Sequence, residues 1–226
     1  MKVSVVIPAH NEEKYISETL KAILNQHSSD FEVIVVCNAC TDRTEEVSRG
    51  FPVKVLVEPK LGVQGARERG RLAASGEIIA SLDADCRPHP DWLRLGTECF
   101  NNPKIVAVTG PYIFFDVSPV FKFFSLLIQK IFYKFIHQFL AFFHAGAILI
   151  GGNCLLRNSA LEKIGGYDTS ILFYGDDTNT ARRLSKVGRI IYSNDLTMAT
   201  SARRFRKEGL IKIFFTYIYY FAKETF

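Results

Sequence analysis

The sequence predicts an α/β fold: a mostly parallel central sheet flanked by helices on both faces. Three observations lead there. Strand-like and helix-like runs alternate through the first ninety residues, the order that builds parallel strands joined by crossover helices. The strand-like runs are continuously apolar, as in strands covered on both faces. The residues most able to do chemistry follow directly after strands, where open α/β sheets hold their ligands.

Taken in order, Lys2 to Ile7 (KVSVVI) reads as a buried strand stopped by Pro8. Ile16, Leu20, Ile23 and Leu24 then recur at helical spacing until the polar stretch Gln26 to Asp30. Phe31 to Val36 (FEVIVV) is a second strand, Thr44 to Arg49 a short helix, and Val53 to Val57 (VKVLV) a third strand expected to have neither face in water. Gly62 to Ala74 reads as a helix and Glu77 to Leu82 (EIIASL) as a fourth strand. Further on, CLLR after Asn153 reads as a strand and Thr178 to Val187 as a helix.

With 226 residues, 48% hydrophobic and 23% charged, the chain has enough for one large domain and its core, and disorder or collagen-like repetition is excluded. The formal charge of +5 is too mild to argue for nucleic acid, but suits an anionic ligand or a membrane surface. Five scattered cysteines, in a chain that opens on a strand-like run rather than a signal peptide, point to a reducing, cytoplasmic compartment. Cys37 and Cys40 form a C-x-x-C pair, but no second Cys/His pair stands at zinc spacing.

Asp83-Ala84-Asp85 follows the fourth strand, and carboxylates at i and i+2 of an extended segment project to one side. Such a pair suits a hard cation, Mg²⁺ or Mn²⁺, whose remaining positions go to phosphate oxygens and water. It suits a solvated turn equally. Asp176-Asp177 opens a helix, a place for simple capping or for a general base. Gly151-Gly152-Asn153 admits close approach of a backbone to a ligand, or a tight turn. Arg203 and Arg204 suit a diphosphate, a solvated basic patch or an anionic lipid. His10, His89 and His144 are isolated, and none is assigned to a metal.

The runs VSVVIPAHNEEKYI, NACTDRT, LGVQGARERG, SGEIIASLDADCRP, GGNCLLR, IGGYD and YGDDTNTARRL, in this order from Val3 to about Arg204, resemble the family 2 glycosyltransferases of the GT-A fold. The resemblance implies a transferase that uses a nucleoside-diphosphate sugar and a divalent cation. It implies that Pro8, Ala9, His10, Asn11 and Glu12, with Asn38, Asp42 and Arg67, surround the nucleotide. Asp83, Ala84 and Asp85 match the positions that contact ribose and the diphosphate-bound metal, with Asp85 and Asp83 as metal ligands. Gly151, Gly152 and Asn153 fall on the acceptor side, and Asp177 matches the acceptor-activating base, with Asp176 where the family has Glu. Cys37 and Asn38 replace the family's acidic residues after the second strand, and Glu68 replaces an Asn, which leaves the choice of base open.

One base without a second nucleophile favours single displacement with inversion. The expected division is 1–110 as nucleotide-binding half, 111–145 as an aromatic-rich amphipathic helical insertion, 146–204 as acceptor and catalytic half, and 205–226 as a C-terminal amphipathic helix. Ten of the 19 Phe lie from Tyr112 to Phe143 and five from Phe205 onward. Lys122, Lys130 and Lys134 interrupt every spanning window before Phe135, so these segments read as interfacial helices on the cytoplasmic face of a membrane, or as a packing or oligomer surface. A lipid-linked or envelope glycan is then the expected acceptor, and the abrupt aromatic end reads as that of a truncated chain. Two alternatives stay open: a catalytically silent partner-binding relative, and a nucleotidyltransferase, disfavoured because no G-x-x-x-x-G-K-[ST] is present.

Overall fold

Val3, Val5 and Ile7 of the first strand enter one apolar core and Val6 enters another, so both faces of this strand are covered, as its apolar run requires. The computed structural model describes residues 1–28, 30–142, 146–171 and 174–225. Its first half runs β1 (Val3–Ala9), α1 (Ile16–Leu24), β2 (Phe31–Asn38), α2 (Thr44–Arg49), β3 (Lys54–Glu58), α3 (Val63–Leu72) and β4 (Ile78–Leu82). Then follow β5 (Arg87–Pro88), α4 (Trp92–Glu98), β6 (Ile105–Thr109) and β7 (Tyr112–Phe114).

A helical excursion comes next: α5 (Pro119–Ile128), a π-helical turn (Gln129–Tyr133) and α6 (Lys134–Phe142). Ser118 caps α5 by accepting from Phe121 N at 3.3 Å, with Pro119 at the first helical position. The chain returns through β8 (Asn153–Arg157), α7 (Asn158–Lys163), α8 (Asp176–Leu184), β9 (Arg189–Tyr192), β10 (Met198–Thr200), α9 (Arg203–Glu208) and α10 (Leu210–Thr225).

Seven strands form the main sheet in the order β3-β2-β1-β4-β8-β6-β9. All neighbours are parallel except β8, which runs against both β4 and β6. The reversal matters, because it brings the start of β8 to the carboxyl end of β4, with Leu82 opposite Asn153. A small sheet β5-β10-β7 stands beside it.

Two sequence expectations fail locally. Pro8 does not stop β1, which pairs with β2 through Ala9. Pairing with β4 ends at Val6, so the missing N–H of Pro8 leaves no gap in that ladder. The third strand is an edge strand, and Val57 is 40% exposed although its run is apolar. Edge position, which composition does not encode, decides that exposure.

Candidate functional site

Because β1, β2 and β4 are parallel, the loops after them share one rim of the sheet, and β8 adds Gly151 and Gly152 to it. Asp83 to Asp85 is a turn rather than an extended segment, closed by a bond from Cys86 N to Asp83 O at 3.1 Å. Its two carboxylates therefore take different partners. Asp83 accepts from Tyr112 Oη at 3.2 Å and lies 3.5 Å from Arg67 Nη2, while Asp85 lies 3.1 Å from Arg203 Nε and 3.4 Å from Thr200 Oγ1.

Arg67, 5% exposed, stands at the centre. Its Nη1 reaches Asp176 at 2.8 Å and Asp177 at 3.1 Å. Asp177 also accepts from Gly151 N at 2.8 Å. Burial, then repulsion from Asp176, raises the Asp177 carboxyl well above the usual carboxylate range, and Arg67 only partly offsets this. Burial and the charge of Asp83 push Asp85 up to about 6, against the pull of Arg203.

The glycines of the GGN run answer to these carboxylates. A Cβ on Gly151 would stand 2.1 Å from Asp177 Oδ1, and one on Gly152 would stand 2.0 Å from Asp83 Oδ2. Both positions need a residue without a side chain. Asn153, expected on the acceptor side, is turned into the protein interior. It is buried, accepts from Trp92 Nε1 at 2.8 Å and donates to the carbonyls of Gly110 and Leu196 at 2.9 and 2.8 Å.

Other expected nucleotide residues shape the loops. Asn38 is buried and holds the segment after β3, donating to Lys60 O at 2.7 Å and accepting from Gly62 N at 2.9 Å. Asp42 accepts from Thr44 N at 2.9 Å and Glu13 N at 3.1 Å, which ties the loop after β2 to the one after β1. His10 Nδ1 lies 2.7 Å from Asn38 O. Pro8 and Ala9 are the last two residues of β1, and Ala84 is buried inside the Asp83 turn. Glu68 holds Arg71 at 2.6 Å and accepts from Tyr167 N at 3.0 Å, and so braces the IGGYD turn. Arg204 lies over the ring of Tyr174 at 4.7 Å and bonds Glu208 at 3.1 Å. His144 lies outside the described residues.

Among the described residues, three other than glycine take positive φ: Asn11 (55°), Ala39 (46°) and Tyr174 (46°). All three lie on this rim, two in the loops after β1 and β2 and one just before Asp176. Strain of about 1–3 kcal/mol each is characteristic of functional sites.

The carboxylates outnumber the cations. Glu12, Asp83, Asp85, Asp176 and Asp177 face Arg67 and Arg203, and Glu12 Oε2 is buried without a hydrogen-bond partner among the described residues. Among the described residues no three acidic, His or Cys side chains converge as a ready-made metal cage. An all-oxygen donor set with surplus negative charge nonetheless suits Mg²⁺ or Mn²⁺, which needs only one or two protein carboxylates beside phosphate oxygens. Cys37 offers no thiolate, since burial pushes its thiol up to about 12.

The profile of glycosyl transferase family 2 matches residues 4–165. The chain belongs to that family.

Its relatives include the probable glycosyltransferase YdaM of Bacillus subtilis, 31% identical over 83% of this chain and 47% of YdaM. Glycosyltransferase AglE of Haloferax volcanii is 37% identical over 48% of this chain and 38% of its own length. The dolichol-phosphate mannosyltransferase of Pyrococcus furiosus is 32% identical over 58% of this chain and 39% of its own. The chain thus spans less than half of each of these relatives. Among solved structures, the mannosyltransferase PcManGT of Pyrobaculum calidifontis, in complex with GDP-Man and Mn²⁺, matches with a TM-score of 0.70 and 26% identity, over 96% of this chain and 64% of that one. S. aureus TarS with UDP-GlcNAc shares the fold, at a TM-score of 0.67 and 20% identity, over 90% of this chain and 59% of that one. The architecture is the GT-A type that the motif order led one to expect.

Sequence reasoning passes over three residues of this family 2 site: Tyr112 on Asp83, Thr200 beside Asp85, and Tyr15, whose ring lies 4.3 Å from the Arg203 guanidinium. Tyr15 at least lies within the NEEKYI run. Tyr112 and Thr200 come from the small second sheet, which has no sequence signature of its own.

Proposed function

We propose that the chain transfers a sugar from a nucleoside-diphosphate sugar to an acceptor hydroxyl in one inverting displacement, with Asp177 as the base. The observation that carries this reading is the environment of Asp177. Its carboxylate is 35% exposed at the mouth of the cleft, is oriented by Gly151 N and Arg67, and has a raised pKa. A carboxylate poised toward neutral pH accepts a hydroxyl proton more readily than an ordinary one. Arg67 fixes the orientation, and Asp176, held on Arg67, keeps the field around the base negative.

Asp85 and Asp83, with Glu12 beside them, would hold Mg²⁺ or Mn²⁺. When bound, the cation would neutralise the charge that grows on the departing diphosphate. The loops after β1 and β2 are the nucleotide side of this reading. PcManGT holds GDP-Man and Mn²⁺, which supports the donor class, and the dolichol-phosphate relative supports a lipid-linked acceptor.

Asp177→Asn is the test. Sugar transfer should fall by about 10²–10⁴-fold while nucleotide binding, read by calorimetry, stays within a few-fold. Unchanged transfer would remove Asp177 from the role.

A further inference from the structure

The helical excursion after β7 presents the wrong face to water. No residue of α5 is buried. The buried side chains of the π-helical turn and α6 are Gln129, His137 and Leu140, two of the three polar. Gln129 accepts from Tyr112 N at 2.8 Å and donates to Tyr112 O at 3.0 Å, and His137 Nε2 donates to Ile190 O at 3.0 Å. Polar groups thus help fasten the segment to the domain, with Phe121 against Phe114 and Phe205, and its other aromatic side chains are exposed.

Of nineteen exposed large apolar side chains among the described residues, eleven lie between Val120 and Phe142 and three more on α10. Phe123, Phe132 and Phe135 are 63%, 55% and 62% exposed. A helix meant for water has the reverse polarity, and scattered single hydrophobics do not account for a cluster of this size.

Charge identifies the occupant. No carboxylate occurs between Asp116 and Glu162, while Lys122, Lys130 and Lys134 stand among the aromatics. Residues 203–226 carry six Lys or Arg against two Glu. Setting aside 117–142 and 203–226, the chain has 19 basic and 21 acidic residues, so its positive charge is concentrated in the two aromatic segments. The two meet through Phe121 and Phe205, whose ring centroids lie 6.5 Å apart, and β7 beside them adds Phe114, 5.2 Å from Phe205.

We infer that α5, α6 and α10 form a docking surface for an anionic phospholipid bilayer, with phenylalanines entering the acyl boundary and lysines reaching the headgroups. A symmetric contact with a second copy would set these lysines against each other, with no carboxylate in 117–142 to pair them. No helix among the described residues is long and apolar enough to cross a membrane, so the segments lie along the surface. The surface bears on the acceptor of the proposed reaction and rests on that reading only for its purpose. Tyr174, three residues before Asp177, stacks on Tyr220 of α10 at 5.3 Å, so the base side of the cleft adjoins the docking face.

The test is sedimentation of the full chain with phosphatidylcholine vesicles, with and without phosphatidylglycerol, at low and high salt. Binding should require the anionic lipid. Each of Lys122→Gln, Lys130→Gln and Lys134→Gln should weaken the partition coefficient about fivefold at low salt. The triple variant Phe123→Ser/Phe132→Ser/Phe135→Ser should lose binding while unfolding at an unchanged temperature. Absence of binding at low salt, or undiminished binding by the triple variant, overturns the inference. So does a lipid-free dimer in sedimentation velocity that the triple variant abolishes. Calorimetric nucleotide binding on the same preparations separates the two readings: nucleotide bound without vesicle binding sinks the docking surface alone, and the reverse sinks the transferase reading alone.

Discussion

Asp177 and Gly152 show how single atoms set the behaviour of the cleft. A protonated Asp177 could not serve as the proposed base, and its folded pKa is raised. kcat/KM should therefore fall with acidification at a pH well above the ordinary carboxylate range of about 4, and the residual activity of Asp177→Asn should lose that limb. A wild-type limb at the ordinary value would contradict the upward push of desolvation and Asp176 on this carboxyl. At Gly152 an added methyl meets side-chain ends, Asp83 Oδ2 and Tyr112 Oη, whereas at Gly110 it meets backbone, Leu196 O at 2.2 Å and Ser193 O at 2.6 Å. Gly152→Ala should therefore unfold within a few degrees of wild type but bind metal and nucleotide poorly. Gly110→Ala should lose about 1–3 kcal/mol of stability by overpacking. Thermal melts beside calorimetry decide it, and the opposite ranking would refute the geometry. The sequence reading named Gly152 alone, and only the approach distances bring out Gly110 as part of the frame.

At the scale of elements, α9 laces the molecule with three arginines. Arg203 joins Glu12 and Asp85, Arg204 covers Tyr174, and Arg206 holds Asp116. Burial alone would raise the Asp116 carboxyl, but bonds from Arg206, Ala202 N and Ser201 bring it down to about 2. A folded pKa below the unfolded one contributes stability above the unfolded value, near 4, and that contribution disappears as pH falls toward 2. With Arg206 more than half exposed, solvent screening leaves about 1 kcal/mol. Asp116→Asn should thus speed amide exchange across 203–208 at neutral pH, and the difference from wild type should vanish near pH 2. Equal exchange at neutral pH would show that α9 is held elsewhere. For Arg203 and Arg204 the sequence left a diphosphate, a solvated patch and an anionic lipid open, because one carboxylate partner of Arg203 lies 191 positions away.

For the whole molecule, the cleft holds more carboxylates than cations, and a nucleoside diphosphate adds further negative charge. Cation and nucleotide should consequently stabilise the fold together more than the sum of each alone. At a hundredfold excess over Kd, such linkage is worth about 2.7 kcal/mol, or several degrees in Tm. Asp85→Ala should lose the synergy. Additive shifts with Mn²⁺ and UDP, GDP, CDP or dTDP would contradict it.

Alternating β and α runs, the carboxylates after β4 and at the start of α8, and the displaced aromatics were legible in the sequence, because hydrophobic period and strand-end position are local properties. Tertiary structure decided the rest. It turned Asp83 and Asp85 toward different arginines, withdrew Asn38, Asn153 and Glu68 into the frame, and brought Tyr112 and Thr200 from a second sheet. It also set β3 at the edge and turned the aromatic face of α5 and α6 outward. These outcomes depend on which strand neighbours which and on where an antiparallel strand enters a parallel sheet. Such long-range choices are made by packing between distant segments, and no window of sequence contains both partners.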